Sequence, residues 1–366
     1  MAFGWRHPIH ALPFDEPVVS ALAEEFAEQP FGRRAQALRK AAFREAMLLA
    51  SGQAARRVER VPASTRSMLW VYTWTTVGDA IMDLGPRVLV PASIAIDLFI
   101  AAPLAPLFTA DRRLRAVHTD ASSLPGDIDF VLLDSWRTTS LRLKAKRFPR
   151  QPFASMRGHH AGERFDRAAF ADRRIRQLFG LPPGDVVAPR LDLGATPGPP
   201  LDDSRFRIAV PLGARVSGKR YPHWNELLPM LVAQWPAGIA APEFRFLGLG
   251  ESARDDLASI AAAFVTAHGD VLLDSGDLRE TAFDMAACDA FLGVDGGLMH
   301  VAVGVGTPGL ALFTRIDPRY FLRPDSTMQA LSSPGELSAL APARVVDAFL
   351  RALPGFVAER RGSGQG

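Results

Sequence analysis

The chain has 366 residues, of which 48% are hydrophobic and 22% charged, a composition typical of a soluble globular protein with two or three domains. The formal net charge is +3 and the isoelectric point is about 9.3. This balance favours anionic small molecules or membrane surfaces over nucleic acid, because no zinc finger, aromatic-interleaved basic stripe or recognition helix accompanies it. The single cysteine, Cys288, excludes an internal disulfide and a multi-cysteine metal site, and we expect a buried structural thiol.

Residues 1–66 are predicted to form a helical N-terminal extension. Between Phe31 and Arg60, helix-forming residues combine apolar positions with many arginines. Two interpretations are open: the helix packs on the main body with a solvated basic face, or it touches an anionic membrane surface as a basic amphipathic helix. No signal peptide is evident, and prolines interrupt the longest apolar stretch, residues 88–108. We therefore expect a cytoplasmic protein, with peripheral contact to the inner membrane as the second interpretation.

Residues 67–190 are predicted to form a Rossmann-like domain, because short apolar runs alternate with helical segments. The predicted strands are Met68–Thr73, Ile94–Ala101, Arg115–His118 and Phe130–Leu133. An arginine-rich amphipathic helix is predicted over Phe165–Phe179. Such alternation indicates a parallel sheet with helices on both faces.

A segment dense in proline and glycine, residues 191–204, is predicted as a linker. A second alternating series then predicts another Rossmann-like domain over residues 205–340, followed by a C-terminal helix and tail over residues 341–366. Its predicted strands are Arg207–Pro211, Phe244–Gly248, Val271–Leu273, Ala290–Val294 and Gly309–Phe313. Its predicted helices are Trp224–Gln234, Ser252–Ala267, one through Ala287, one after Gly297, and Leu337–Ala352. Two such domains predict a ligand cleft between them, at the carboxyl ends of the strands.

The segment from Asp295 to His300 is the most informative of the chain. It reads Asp-Gly-Gly-Leu-Met-His and lies between a buried strand and a predicted helix. Glycines at a helix start let backbone N–H groups approach a ligand closely, and the helix N-terminus favours an anion, most often a phosphate. The sequence therefore predicts a nucleotide or phosphate site in the second domain.

Two loops add charged candidates to this site. Arg215 and Lys219 lie in a glycine-containing loop after a predicted strand, and fixed cations there suit a diphosphate leaving group, although a solvent-exposed basic loop is an equally good interpretation. Glu251 follows a strand and two glycines, where it is placed to bind ribose hydroxyls or merely to cap a helix.

The first domain contributes a loop that reads Thr75-Thr76-Val77-Gly78-Asp79 directly after a strand. Gly78 permits a tight strand-to-helix turn, which places Asp79 near the start of a helix. Asp79 is either a catalytic carboxylate facing the cleft or an ordinary helix cap.

Taken together, these segments resemble glycosyltransferase family 9, the heptosyltransferases that build the inner core of lipopolysaccharide. The resemblance extends from about Ser67 to Phe313. It is carried by the Asp295–His300 segment with Gly306-Thr-Pro308, by Thr76–Asp79, and by the segment Lys219–Trp224, in the order of the family.

The resemblance implies a GT-B architecture, in which an N-terminal acceptor domain and a C-terminal donor domain, both Rossmann-like, face each other across a cleft. It implies inverting transfer of a heptose or related sugar from a nucleotide-diphosphate sugar, most often ADP-linked, to a lipopolysaccharide-core or other glycan acceptor, without metal or other cofactor. Asp79 is then the general base, and Lys219 stabilises the leaving diphosphate. The residues implied for the donor are Thr76, Gly78, Arg215, Glu251, Asp295, Gly296, Gly297, Leu298, Met299 and His300.

Departures from the family pattern concern the acceptor side and one donor position. Gly296 stands where the family usually has threonine or serine, and a basic run that includes Arg137 and Arg142 is either a solvated face or an acceptor rim. An Asp-x-Asp spelling at Asp127 and Asp129 lacks partner ligands and is interpreted as chance. Three alternatives stay open: a non-catalytic nucleotide-sugar-binding protein acting in assembly, a transferase with another donor and a protein or small-molecule acceptor, and a nucleotide-sugar epimerase or hydrolase.

Overall fold

The computed structural model describes residues 24–159, 165–194, 204–214, 216–274, 276–314 and 316–363. The chain divides into two compact units, Met1–Pro189 and Arg190–Gly366. Each unit contains one sheet whose strand pairs are all parallel. The sheet type predicted from the alternation of strands and helices is confirmed.

The first unit contains a five-stranded sheet with the order β3-β2-β1-β4-β5. Its strands are β1 (Ser67–Val71), β2 (Ala95–Phe99), β3 (Ala116–His118), β4 (Phe130–Leu133) and β5 (Phe153–Ser155). Its helices are α1 (Phe31–Ala50), α2 (Val77–Leu84), α3 (Thr138–Arg147) and α4 (Arg167–Phe179). The order reverses at β1, whose neighbours are β2 and β4. Strands β1 and β4 are buried along their whole length, which explains their continuous apolar sequences.

The second unit contains a six-stranded sheet with the order β11-β10-β9-β6-β7-β8. Its strands are β6 (Arg205–Pro211), β7 (Ala241–Gly248), β8 (Gly269–Leu273), β9 (Ala290–Val294), β10 (Gly309–Phe313) and β11 (Met328–Ser332). Its helices are α5 (Trp224–Ala233), α6 (Glu251–Ser259), α7 (Ala262–His268), α8 (Leu278–Ala286), α9 (Gly297–Val305) and α10 (Pro342–Ser363). This is the strand order of a dinucleotide-binding fold, with the reversal at β6.

Short 3-10 turns connect several of these elements: Ala54–Arg56, Gly85–Leu89, Ala102–Leu107, Ala121–Ser123, Ser217–Lys219, Pro318–Tyr320 and Leu337–Ala339. Cys288 is buried and its thiol donates to the carbonyl of Asp284, and burial raises the pKa of this thiol to about 12. The expected structural thiol is confirmed. Among the described residues, no helix is long and apolar enough to span a membrane.

The predicted strands are confirmed with bounds shifted by a few residues, but two predicted helices are wrong. The single helix over Ser252–Ala267 is divided into α6 and α7, because Ile260 adopts an extended backbone (φ −88°, ψ 136°). The N–H of Ala261, at the start of α7, donates to the side-chain oxygen of Asn225 at 2.9 Å. The helix predicted from Leu337 begins instead at Pro342, after a 3-10 turn. Proline suits a first helical position because it lacks the N–H that would be unpaired there.

Helix α1 packs on the first unit through one face only. Ala41 and Leu48 are buried, and Leu48 joins the hydrophobic core beside β1, whereas Ala42 and Leu49 are exposed. The apolar positions along this helix therefore lie on two different faces, of which only one faces the protein core.

A buried lysine lies where the segment after α1 meets the sheet. The Nζ of Lys144 donates to the side-chain oxygen of Gln53 and lies 4.5 Å from the ring centre of Phe153. Lys144 is 1% exposed. Burial, with repulsion from Arg56, lowers the pKa of Lys144 to about 8 from its usual 10.5. The folded protein therefore disfavours the charged form of this side chain.

We expect Lys144→Met to raise the free energy of unfolding at pH 7 by about 1–2 kcal/mol, because it removes a buried charge and retains most of the apolar stem. In the unmodified protein, the folded pKa lies below the unfolded one, so stability rises as the pH increases from about 8 to 10.5. The difference in the free energy of unfolding between Lys144→Met and the unmodified protein should therefore become smaller as the pH rises over that range. Urea denaturation at pH 7 and at higher pH measures both effects, with exposed Lys146→Met as the control. A variant less stable by a constant amount at every pH contradicts the prediction.

Candidate active site

The second unit brings together two of the predicted site residues at the carboxyl ends of β6 and β9. Lys219 lies in the loop after β6, and Asp295 directly follows β9. The Nζ of Lys219 is 2.5 Å from the Oδ2 of Asp295. Strands β6 and β9 are neighbours at the point where the strand order reverses, which is where open α/β sheets bind their ligands.

The Lys219 loop is held against α6 by Asp256. One oxygen of this carboxylate accepts the backbone N–H of Gly213 at 2.7 Å, and the other accepts the guanidinium of Arg220. Gly213 has a positive φ of 79°, and a Cβ there would lie 2.7 Å from the hydroxyl oxygen of Ser252. Glycine is therefore required at this turn, since a larger residue would push the loop away from α6.

The two side chains of the Lys219–Asp295 pair differ in their exposure to solvent. The side chain of Asp295 is 5% exposed, whereas that of Lys219 is 28% exposed. The backbone N–H of Asp295 also donates to the carbonyl of Leu312 at 2.9 Å, which fixes the residue to β10. The ammonium group of Lys219 is thus accessible to solvent, and the buried carboxylate of Asp295 holds it in place.

The start of α9 follows Asp295 immediately. Gly296 is the residue before the helix, and its carbonyl accepts the N–H of Met299 at 3.1 Å and of His300 at 3.4 Å. Met299 and His300 are buried, and the His300 ring packs edge-on against Phe321 at 5.6 Å. The backbone N–H groups of Gly297 and Leu298, in the first turn of α9, are therefore the candidate hydrogen-bond donors to an anion.

The remaining donor candidates of the second unit differ in position. Glu251 is the first residue of α6, at the carboxyl end of β7, and its side chain is exposed. Glu251 and Lys219 therefore follow the neighbouring strands β7 and β6, at the same edge of the sheet. Arg215 lies outside the described residues.

In the first unit, Asp134 ties together the loops that follow β1 and β4. Its Oδ2 accepts both the backbone N–H and the hydroxyl of Thr73 at 2.8 Å, and its Oδ1 accepts the hydroxyl of Ser140 at 2.8 Å. Burial raises the pKa of Asp134, while these hydrogen bonds oppose the rise. The two loops lie at the strand reversal of the first sheet, so the loop that leads to Asp79 is held rigidly.

Asp79 lies in the first turn of α2, after Thr76 as the capping residue and the buried Gly78. Its Oδ2 accepts the hydroxyl of Thr76 at 2.5 Å, and its Oδ1 lies 2.7 Å from the Nη1 of Arg167. The Asp79 side chain is 21% exposed. Thr76 and Gly78 are thus placed beside Asp79 in the first unit, whereas the other predicted donor residues belong to the second.

The two arginines predicted for the acceptor lie in different settings. Arg137 precedes α3, donates to the carbonyl of Thr73 at 3.2 Å, and lies 4.8 Å from the ring centre of Trp74. The guanidinium of Arg167 lies 5.8 Å from the same ring. Arg142 is exposed on α3. The structure therefore brings Arg137 to the loop that carries Asp79, where the guanidinium groups of Arg137 and Arg167 both lie near the Trp74 ring.

Residues 199–336 match the model of glycosyltransferase family 9 (heptosyltransferase). The resemblance to glycosyltransferase family 9 is confirmed. A comparison with curated proteins gives no match.

Solved structures of similar fold include a family 9 glycosyl transferase from Veillonella parvula, with 13% identity and a TM-score of 0.65, covering 81% of this chain and 100% of that chain. The E. coli ADP-heptose lipopolysaccharide heptosyltransferase II has 20% identity and a TM-score of 0.61, covering 81% of this chain and 99% of that chain. An E. coli heptosyltransferase with ADP has 17% identity and a TM-score of 0.58, covering 79% of this chain and 98% of that chain. The predicted GT-B fold class is confirmed.

The Asp-x-Asp spelling has a structural explanation. The Oδ2 of Asp129 accepts the backbone N–H groups of Arg66 and Ser67 at 2.8 and 2.9 Å, which fixes the start of β1. Asp127 is 71% exposed and lies 3.5 Å from Arg115. Within the described part of the chain, no group of three or more histidine, cysteine, aspartate or glutamate side chains is placed to hold a metal ion.

Gly296 is the donor-side position at which we expected a departure from the family pattern, and its geometry does not require glycine. Its φ of −173° is ordinary extended backbone, and an added Cβ would meet only the carbonyl oxygen of Val294 at 3.8 Å. Serine is favoured before a helix because its hydroxyl bonds to an N–H of the first turn.

We expect Gly296→Ser to fold at least as stably as the unmodified protein and to bind a nucleoside diphosphate about tenfold more tightly, because the hydroxyl adds one hydrogen bond to a charged group. Calorimetric titration with ADP measures the change. Gly126→Ser in the first unit, where nothing lies within 4 Å of an added Cβ, is the matched control. Unchanged or weaker ADP binding by the Gly296 variant would be the contrary result.

The residues that sequence reasoning missed are held by long-range contacts. Arg167 contacts Asp79 and also meets Asp83 and Trp74, yet Arg167 and Asp83 are 84 positions apart in the chain. Arg167 lies in the predicted arginine-rich helix, and no local signal separates it from the other arginines there. The tryptophan beside the Thr76–Asp79 loop was the one available hint.

Proposed function

We propose that this protein is an inverting glycosyltransferase that moves a sugar from a nucleoside-diphosphate sugar to an acceptor hydroxyl. The observation that carries the proposal is the Lys219–Asp295 pair at the strand reversal of the second sheet, next to the start of α9. An ammonium group beside helix N–H groups suits a diphosphate, and a fixed carboxylate suits sugar hydroxyls.

The proposed donor is an ADP-linked heptose or a related sugar. Support comes from the confirmed family resemblance and from similar folds whose described ligands are ADP and an ADP-heptose analogue. In the proposed reaction, Lys219 stabilises negative charge on the leaving diphosphate, with Arg215 as a second cation. Asp295 orients the sugar, and Glu251 binds the ribose. Leaving-group stabilisation and positioning then supply most of the acceleration, without a metal ion.

The proposed acceptor site lies in the first unit, with Asp79 as general base. As the acceptor oxygen attacks the anomeric carbon, its proton passes to Asp79 and the bond to the diphosphate breaks. The Oδ2 of Asp79 accepts the Thr76 hydroxyl and its Oδ1 lies beside Arg167, so the group is oriented before the acceptor binds. Arg137 and Trp74 beside this loop suit an anionic glycan such as lipopolysaccharide core.

The test has two stages. Thermal shift and calorimetry with ADP, UDP and GDP identify the nucleotide, because a ligand that binds the folded state raises its stability. Release of nucleoside diphosphate is then measured with the matching sugar donors and a heptose-deficient lipopolysaccharide-core acceptor. Failure to bind any nucleoside diphosphate overturns the proposal. Binding without transfer or hydrolysis favours a non-catalytic nucleotide-sugar-binding protein. Turnover with another donor or acceptor favours a transferase with a different donor and a protein or small-molecule acceptor.

We also propose that α1 contacts an anionic membrane surface through an outer face formed by Phe31, Arg39, Phe43 and Leu49. Phe31 is 78% exposed, Phe43 56% and Leu49 55%, and Arg39 is exposed between them. The face extends along about 27 Å of helix, which suits a flat surface better than a pocket. The sole acidic residue of α1, Glu45, is paired with Arg57. A second copy of this face would bring like charges together, so anionic lipid fits it better.

Sedimentation with vesicles of phosphatidylcholine and phosphatidylglycerol tests this contact. We expect binding that weakens in high salt, and a loss of about tenfold for Arg39→Glu, since each cation near such a surface contributes about 1 kcal/mol. Phe43→Ser should also weaken binding. Val88→Ser, at another exposed apolar residue of the same unit, serves as the control. Equal sedimentation of the α1 variants and the control, or no binding at all, excludes the contact.

A further inference from the structure

Asp79 belongs to a cluster of charged side chains drawn from three parts of the first unit. Asp79 and Asp83 lie on α2, Arg167 lies on α4, and Arg157 follows β5. The side chains of Asp83 and Arg157 are 7% and 3% exposed, and that of Arg167 is 11% exposed. Charges this far from solvent influence one another more strongly than surface charges do.

The contacts within the cluster divide Arg167 between the two carboxylates. Its Nε donates to the Oδ1 of Asp83 at 2.9 Å and its Nη2 to the Oδ2 at 2.8 Å, a bidentate pair. The remaining nitrogen, Nη1, is 2.7 Å from Asp79. Asp83 is also paired with Arg157 and accepts the hydroxyl of Tyr72 at 3.3 Å. Asp83 thus holds the guanidinium in one orientation, and the orientation presents a single nitrogen to Asp79.

The charges of the cluster balance. Two carboxylates face two guanidinium groups, and the other titratable neighbour, Tyr72, is neutral because burial and the charge of Asp83 raise its pKa. The hydroxyl of Thr76 completes the surroundings of Asp79. A base needs a fixed position but must still attract a proton, and a full unbalanced cation beside Asp79 would oppose proton uptake. Asp83 is shared between Arg157 and Arg167 and offsets one of these two positive charges, so the groups around Asp79 carry one net positive charge, which Asp79 itself balances.

We propose that Arg167 is the positioning residue of Asp79, and that the Arg167–Asp83 pair sets the pH range in which Asp79 accepts a proton. This inference rests on the proposed role of Asp79 as general base. It assigns a function to two residues that act through Asp79 and not on the substrate. It also predicts opposite effects for the two members of one ion pair, which a purely structural pair would not produce.

The experiment compares Arg167→Gln with Asp83→Asn. Removal of the cation should move the acidic limb of the pH profile of kcat/KM upward by about one pH unit, and removal of the anion should move it downward by a similar amount. Exposed Arg173→Gln on the same helix is the control and should leave the profile unchanged. ADP affinity, which is proposed to depend on the second unit, should be the same in all variants, and the thermal unfolding temperature reports whether each variant is folded.

Two further measurements keep the test decisive. Arg167→Lys retains the charge but loses the bidentate geometry, so we expect a lower kcat with an acidic limb close to that of the unmodified protein. The titration of Asp79 followed by carboxyl ¹³C NMR should shift upward in Arg167→Gln and downward in Asp83→Asn, whether or not the protein transfers sugar. Shifts in the same direction, or none, overturn the inference. An unmodified protein without transferase activity instead rejects the proposed function.

Discussion

Asp79→Asn is expected to lower kcat by about 10²–10⁴, the usual contribution of a general base. Asparagine has nearly the same shape as aspartate and retains an oxygen that can accept from Arg167 or Thr76, so the loop should keep its structure. It cannot accept the acceptor proton at neutral pH. Donor affinity should not change, because the residues proposed to bind the donor phosphates belong to the second unit.

Steady-state kinetics and calorimetric titration with ADP separate these two effects. The matched control is Asp127→Asn, which changes a 71% exposed carboxylate of the same unit and should leave kcat and donor binding unaltered. If Asp79→Asn retains half or more of the turnover, Asp79 is not the base. If it loses turnover and ADP affinity together, the effect is structural and the assignment of the base also fails.

Lys219→Met is expected to lower kcat by about 10²–10³. This is the usual effect of removing one fixed group that stabilises negative charge as it develops in the transition state. Unlike Asp79→Asn, it should also weaken ADP binding, because the ammonium is proposed to contact the diphosphate before the reaction. The variant leaves the 5% exposed carboxylate of Asp295 without its cation. We therefore expect a loss of about 1–3 kcal/mol in the free energy of unfolding.

The double variant Lys219→Met/Asp295→Asn tests whether the two side chains act as a unit. Its stability loss should be smaller than the sum of the single losses, because removing the carboxylate relieves the unpaired buried charge. Arg205→Met removes a cation at the opposite end of β6 and serves as the control. Turnover and ADP binding equal to those of the control would remove Lys219 from the proposed site.

The parts of the structure that were predicted from the sequence are those governed by neighbouring residues. Runs such as Phe130–Leu133 and Ala290–Val294 are buried central strands with the predicted bounds. Gly306 ends α9 with a positive φ of 87°, as a glycine after a helix commonly does. Burial of a continuous apolar run and the conformational freedom of glycine are local properties, so a single sequence displays them.

The elements that were missed depend on pairing with other parts of the chain. Strand β11 lies at an edge of its sheet, and most of its side chains are at least partly exposed, so its sequence lacks an apolar run. Strand β5 is only three residues long, Phe153–Ser155, and is too short to show a pattern. Helix α3 is rich in basic residues and was interpreted only as a basic run. Each forms because a neighbour supplies hydrogen bonds or an apolar surface.

The sequence by itself determined the α/β class, the two sheets and the loops that carry Asp79, Lys219 and Asp295. Only the tertiary structure decided which of these side chains meet. Lys219 and Asp295 are 76 positions apart, and they are paired because β6 and β9 are neighbours where the strand order reverses. Arg167 reaches Asp79 because α4 packs beside α2. Strand order and helix packing bring distant loops together, and spacing along the chain does not encode those distances.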